Sequence, residues 1–156
     1  APDADVVRAG VTPVTTAVCG FTPPSGPSDF PYEYFFNAGA QNLKQWRLGV
    51  TPPPGQRYAY SGSVIQRDQY SNALGGLRSP YVDVPIASYG LPPGGACPYI
   101  GTRTPFSDAT LEALYPAKGR YVSAVVKQVN ALVKDRYLLQ SDGSRITREA
   151  AHADLP

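Results

Sequence analysis

The chain has 156 residues, the size of one domain, so it can bury a core without needing cross-links. Its net charge is +2 and its bases are scattered singly, with no run and no basic-aromatic stripe, which argues against a nucleic-acid surface. No apolar run approaches the ~20 residues of a membrane span, and Gly and Pro, about a fifth of the chain, predict a loop-rich surface. Eleven Tyr, five Phe and one Trp still supply large area to bury, so the composition is not that of a disordered chain.

In chain order, residues 1–30 read as an irregular N-terminal arm, with a short strand at Val14 to Val18. Residues 31–156 read as a helical and loop portion. Ser28 or Asp29 caps a helix, Pro31 fits its first turn, and Gly49 suits its stop. Within it Tyr32, Phe35, Phe36, Leu43 and Trp46 fall near one broad face. "RYAYSGSVIQRD" predicts one or two short strands with a turn near Ser61-Gly62. "SNALGGLRSPYVDVPIASYG" reads as irregular, since Pro80 and Pro85 keep it off a central strand, and "LPPGGACPYIGTRTPF" reads as loop. Ser107 caps "DATLEALY", which Pro116 ends. The next helix puts Tyr121, Val122, Val125, Val126, Val129, Leu132 and Val133 on one stripe; its valines are poor helix formers, so packing must hold it. "QSDGS" reads as a turn, with Ser144 capping a final helix.

The chemistry of a serine hydrolase needs an activated nucleophile, a base and an orienting acid. The nucleophile elbow G-x-S-x-G does not occur. The single His, His152, lies four residues from the end with Asp154 beyond it. It is a weak candidate base, because a base must be held rigidly and termini are usually mobile. Asp68 and Asp83 sit in loops and could meet, but no spacing rule makes them a glycosidase pair. No phosphate-binding, dinucleotide or calcium loop is present, and one His without a CxxC pair gives no zinc site, so no cofactor and no metal is implied. The two thiols, Cys19 and Cys97, read as a disulfide formed in an oxidising compartment, with two unrelated thiols as the alternative. The start Ala1-Pro2-Asp3 suits a mature terminus after signal removal, or a proteolytic cut.

The segment Asn72 to Tyr89, with Asp68 before it, resembles a signature of the bacterial alpha/beta-hydrolase-domain proteins, D-x-x-G-N-A-L-G-G-[IV]-R-[TS]-P-x-V-D-V-P. Asp68, Asn72, Gly75, Gly76, Arg78, Pro80, Val82, Asp83 and Pro85 stand in place, and Ser71 replaces the more usual Gly. Trp46, Gly49, Pro52 and Pro53 are similar to a flanking W-x-x-G-x-x-P-P pattern, and Thr104-Pro105-Phe106 and Leu114-Tyr115-Pro116 are similar to later markers. The resemblance covers about Phe30 to Ala151. It implies an α/β class, with this chain as the C-terminal part of an α/β-hydrolase-type fold made of helices, long Pro/Gly-rich loops and short strands. It also implies that the nucleophile, acid and base lie upstream, on another polypeptide segment carrying the hydrolase core.

The expected function is therefore the C-terminal portion of an extracytoplasmic serine-hydrolase-like protein acting on esters or amides, not catalytic by itself. The alternative is a non-enzymatic secreted binding or structural module. Arg78, Asp83 and Tyr81 are the residues expected to brace the signature loop or to line a pocket. Both apolar helix faces, around Trp46 and around Val125, are expected to need a sheet that this chain lacks, so that either another polypeptide supplies one or the chain associates with itself.

Overall fold

A computed structural model describes residues 21, 24–90 and 100–156. Cys19, Cys97 and the Val14 to Val18 segment lie outside the described residues.

The described chain runs β1 (Gly26–Pro27), α1 (Tyr32–Arg47), β2 (Tyr60–Ser61), β3 (Val64–Ile65), α2 (Pro80–Asp83), β4 (Ala87–Gly90), β5 (Thr102–Pro105), α3 (Asp108–Leu114), α4 (Lys118–Lys134) and α5 (Gln140–His152). A three-stranded antiparallel sheet has the order β1-β5-β4, with Gly26 opposite Arg103 and Tyr89 opposite Arg103 on the other side. β2 and β3 form a separate hairpin, turning at Gly62, whose φ is +60°.

The helical core forms where α4 lays its apolar stripe on α5. Tyr121, Val125, Val129 and Leu132 from α4 close on Leu138, Ile146 and Ala150, joined by Tyr34 of α1 and Val84. The valine stripe thus finds its cover within this chain, contrary to the expectation that it needs a sheet supplied from elsewhere. Gly143 sets the spacing: a Cβ there would stand 2.8 Å from Val129 Cγ1 and 3.1 Å from Val133 Cγ2.

That close approach also explains a second correction. Gln140 to Ser144 is the first turn and a half of α5, not a turn before it. Ser144 sits inside the helix and donates to the Gln140 carbonyl at 2.9 Å. Gly143 is there for packing rather than for a turn.

Thr102–Pro105, expected as loop, is the central strand. Its threonines suit a strand, and Pro105 comes at its end, where a missing N–H costs least. Pro80 opens the short helix α2 at its first position, within a segment expected to be irregular. α1 begins after Pro31 with no side-chain cap; Ser28 instead accepts from the Phe30 amide at 3.3 Å. It stops as expected before Gly49, at φ +89°.

The face of α1 that meets the core is also not the one expected. Tyr34 and Ala38 are buried, whereas Tyr32, Phe36, Leu43 and Trp46 point away from it and are exposed.

Candidate functional site

The signature segment folds as a tight loop between the hairpin and α2. Gly75 and Gly76 both take positive φ, +70° and +67°. A Cβ on Gly75 would lie 2.6 Å from Ala59 N and from Arg57 O, so only glycine lets the loop lie against the Arg57–Ala59 backbone. The Gly76 amide donates to the Arg57 carbonyl at 2.7 Å, and the Ala59 amide donates to the Leu74 carbonyl at 2.9 Å.

Asp68 turns the start of the loop. Its Oδ1 accepts from the Tyr70 and Asn72 amides, at 2.9 and 3.0 Å. The turn puts Ser71 at φ +64°, a conformation that favours Gly.

Asn72 is fully buried and works as a side-chain strand partner. Its Nδ2 donates to Ala87 O at 3.3 Å, and its Oδ1 accepts from Tyr89 N at 2.8 Å. It thereby closes the free edge of β4.

Arg78 occupies the middle. Its Nε donates to Asp83 and its Nη1 to the Ala73 carbonyl; Nη2 reaches Asp68 Oδ2 and the Val82 carbonyl, both at 3.0 Å. Partial burial pulls its pKa down, but Asp83 and Asp68 outweigh this and raise it above the ordinary arginine value. Asp83 also accepts from Gln128 of α4, which ties the loop to the helical core.

Beside this network lies an open cleft of about 450 Å³, lined by Asp68, Gln69, Tyr70, Leu74, Arg78 and Asp83, with Val82 and Pro85. Tyr70 is held against Phe106 at a ring separation of 5.3 Å. Two carboxylates face one guanidinium, so the cleft wall carries a net negative charge. Nearly all the Arg78 donors are spent on the loop, leaving a wall rich in acceptors.

Arg78, Asp68 and Asp83 are thus brought together. Tyr81 is not in the cleft. It points to the core side, where its hydroxyl donates to Glu149 Oε2 at 2.7 Å while Tyr34 donates to Glu149 Oε1 at 3.0 Å, so that one carboxylate of α5 clasps α1 and α2. His152 is exposed at the end of α5. Ser79 is fully buried, and its Oγ has no hydrogen-bond partner. Buried there, the hydroxyl is closed to an ester carbonyl. Among the described residues no group of three or more His, Cys, Asp or Glu could hold a metal ion. Sequence reasoning passed over Gln69, Tyr70 and Gln128. The first two carry no motif signal, and Gln128 sits among the polar residues of an amphipathic helix.

The sequence model of a family described as alpha/beta hydrolase domain matches residues 1–148. No curated protein and no solved structure matches. The family match covers nearly the whole chain, including the residues read as an N-terminal arm, and the chain belongs to this family. No helix among the described residues is long and apolar enough to cross a membrane.

Proposed function

We propose that this chain is the non-nucleophile, C-terminal portion of an extracytoplasmic serine-hydrolase-like protein that cleaves esters or amides. Its catalytic serine and base lie on another polypeptide segment. Membership of the alpha/beta hydrolase domain family carries the reading. Three features of the chain support placing the chemistry elsewhere: no G-x-S-x-G string, a buried Ser79, and a sole histidine exposed at a helix end. The part assigned to this chain is the wall of a substrate cleft, with Asp83, Gln69 and Tyr70 as the side chains facing it.

A second reading, a non-enzymatic secreted module, is favoured by one observation: Arg78 commits its donors to the loop itself and keeps few for a ligand.

A serine-directed fluorophosphonate, applied to the native polypeptide and to residues 1–156 alone, separates the readings. The expected label falls on a serine outside 1–156, and residues 1–156 show no saturable turnover of p-nitrophenyl esters. A label within 1–156, lost together with turnover in one Ser→Ala variant, overturns the proposal. No label on either, with a lone native species of 16.7 kDa, selects the module.

A further inference from the structure

The exposed face of α1 has an order that its own fold does not use. Tyr32, Phe36, Gly39, Leu43 and Trp46 recur at i, i+4, i+7, i+11 and i+14, the spacing of a helix–helix seam. Their side chains are bare: Tyr32 is 62% exposed, Phe36 72%, Leu43 62% and Trp46 60%. Single exposed apolar residues are ordinary, but four aromatic or leucine side chains in one stripe are not. At the centre stands Gly39. Glycine inside a helix costs ~1 kcal/mol relative to alanine, and a Cβ at this position would meet nothing within 4 Å. No packing within the described residues accounts for that cost. Close approach by another helix would.

The stripe is also nearly symmetric about Gly39. Tyr32 and Trp46 lie seven residues to either side, and Phe36 and Leu43 lie three and four. Two copies crossing antiparallel at Gly39 bring Tyr32 against the partner copy's Trp46, and Phe36 against the partner copy's Leu43. Such a twofold contact uses one patch twice, as a self-complementary interface must.

The charges beside the stripe agree. Glu33 lies in the first turn of α1, and Lys44 and Arg47 in its last turns, all on the same flank of the stripe. In the antiparallel crossing the twofold keeps that flank common and exchanges the ends, so Glu33 of each copy faces Lys44 and Arg47 of the other. A parallel pairing would set this flank against the opposite one, where Phe35, Ala38 and Asn42 offer the charges no counterpart. The helix dipoles are opposed in the antiparallel pair as well.

We propose that the Tyr32–Trp46 face of α1 is a homodimer interface, in which α1 packs antiparallel on α1 of a second copy about a twofold at Gly39. This reaches beyond the proposed catalytic role and does not depend on it.

The test is sedimentation of the intact chain over a concentration series, with circular dichroism to check that each variant keeps its helices. The expected result is a reversible dimer. Phe36→Glu, on an exposed position, should raise the dissociation constant by about 30-fold or more. Glu33→Lys alone, and the pair Lys44→Glu with Arg47→Glu, should each weaken the dimer, and the triple variant should recover most of the loss. That recovery is specific to charges facing their own counterparts. A chain that stays monomeric overturns the proposal, and so does a dimer indifferent to Phe36→Glu. Concentration-independent hydrogen-exchange protection of α1 also overturns it, placing another segment of the same polypeptide on the stripe.

Discussion

Replacing Asn72 by Asp exchanges one amide NH₂ for an oxygen in a fully buried side chain, and that exchange reverses a hydrogen bond. The native Nδ2 donates to Ala87 O at 3.3 Å while Oδ1 accepts from Tyr89 N at 2.8 Å. A carboxylate keeps the second bond but turns an acceptor toward the Ala87 carbonyl. The stranded carbonyl costs about 1–3 kcal/mol; with the desolvated charge the loss reaches about 3–5 kcal/mol. For a chain of this size Tm falls by about 6–20 °C at neutral pH, at ~2–4 °C per kcal/mol. The deficit depends on pH with a definite sign. Burial, the facing carbonyl and nearby Asp68 all hold the introduced carboxyl above its unfolded value of ~3.9. The protonated form, which can donate to Ala87 O again, is therefore favoured by the folded state. Stability is recovered near and below the unfolded value and lost as pH rises through the raised one. Urea titrations at pH 4 and pH 7, each referred to the native chain at the same pH, read this directly. Asn72→Ala serves as the control, with a deficit that does not change between the two. A variant within 1 kcal/mol of the native chain at pH 7, or a deficit equal at both pH values, would refute the assignment of Asn72 as the partner of the β4 edge.

Ser71→Gly relieves a left-handed residue at φ +64° and should stabilise by about 0.5–1 kcal/mol, after allowing for the more flexible unfolded glycine; chemical denaturation checks it. Gly143→Ala improves helix propensity by ~1 kcal/mol, yet places a Cβ 2.8 Å from buried Val129. Overpacking outweighs the gain, for a net loss of about 1–2 kcal/mol. In a Val129→Ala background the same substitution should become neutral or stabilising, and an unchanged penalty there would disprove the contact. At alkaline pH, burial and then Asp29 push the Tyr89 phenol up to about 12, with Arg103 opposing, and burial also raises Tyr115 and Tyr121. A folded pKa above the unfolded ~10 contributes stability that is whole below pH ~10 and lost as pH rises toward 12. Phenolate absorbance should therefore show a late group of tyrosines ionising together with loss of helical signal. A single early transition, with the helices intact, would contradict their burial.

The elements legible in the sequence were those whose signals are local. The Ser107 cap, which accepts from the Thr110 amide at 3.3 Å, the hairpin turn at Gly62 and the α4 stripe are all read from neighbours within a few residues. The failures share a different cause. β5 is central because it pairs with β1, far along the chain, as well as with β4, and its own stretch of Gly, Cys and Pro resembles loop. Gly143 carries the same letter as a turn glycine, and only its contact with α4 shows why it is in a helix. α1 has two apolar faces, and periodicity alone cannot tell which one its own chain covers. At the candidate site the Arg78–Asp83 pair spans five residues and was within reach of reasoning, whereas the Gln128 contact spans 45.

The Asp68–Pro85 segment is held together by backbone geometry and by side chains spent on its own amides and carbonyls. Gly75 and Gly76 admit the loop to its neighbouring strand, Asp68 and Asn72 satisfy amides and a carbonyl, and Arg78 gathers two carboxylates and two carbonyls. Each of these groups is largely spent on holding the loop, and removing any one would disturb folding before it revealed a role in binding. The side chains that line the cleft without holding the loop are Gln69 and Tyr70. These two can be altered without dismantling the loop's glycine contacts, its Asn72 bonds or the Arg78 network. It follows that substitutions at Gln69 and Tyr70, rather than at the more recognisable Arg78, are the ones able to separate a role in substrate binding from a role in folding.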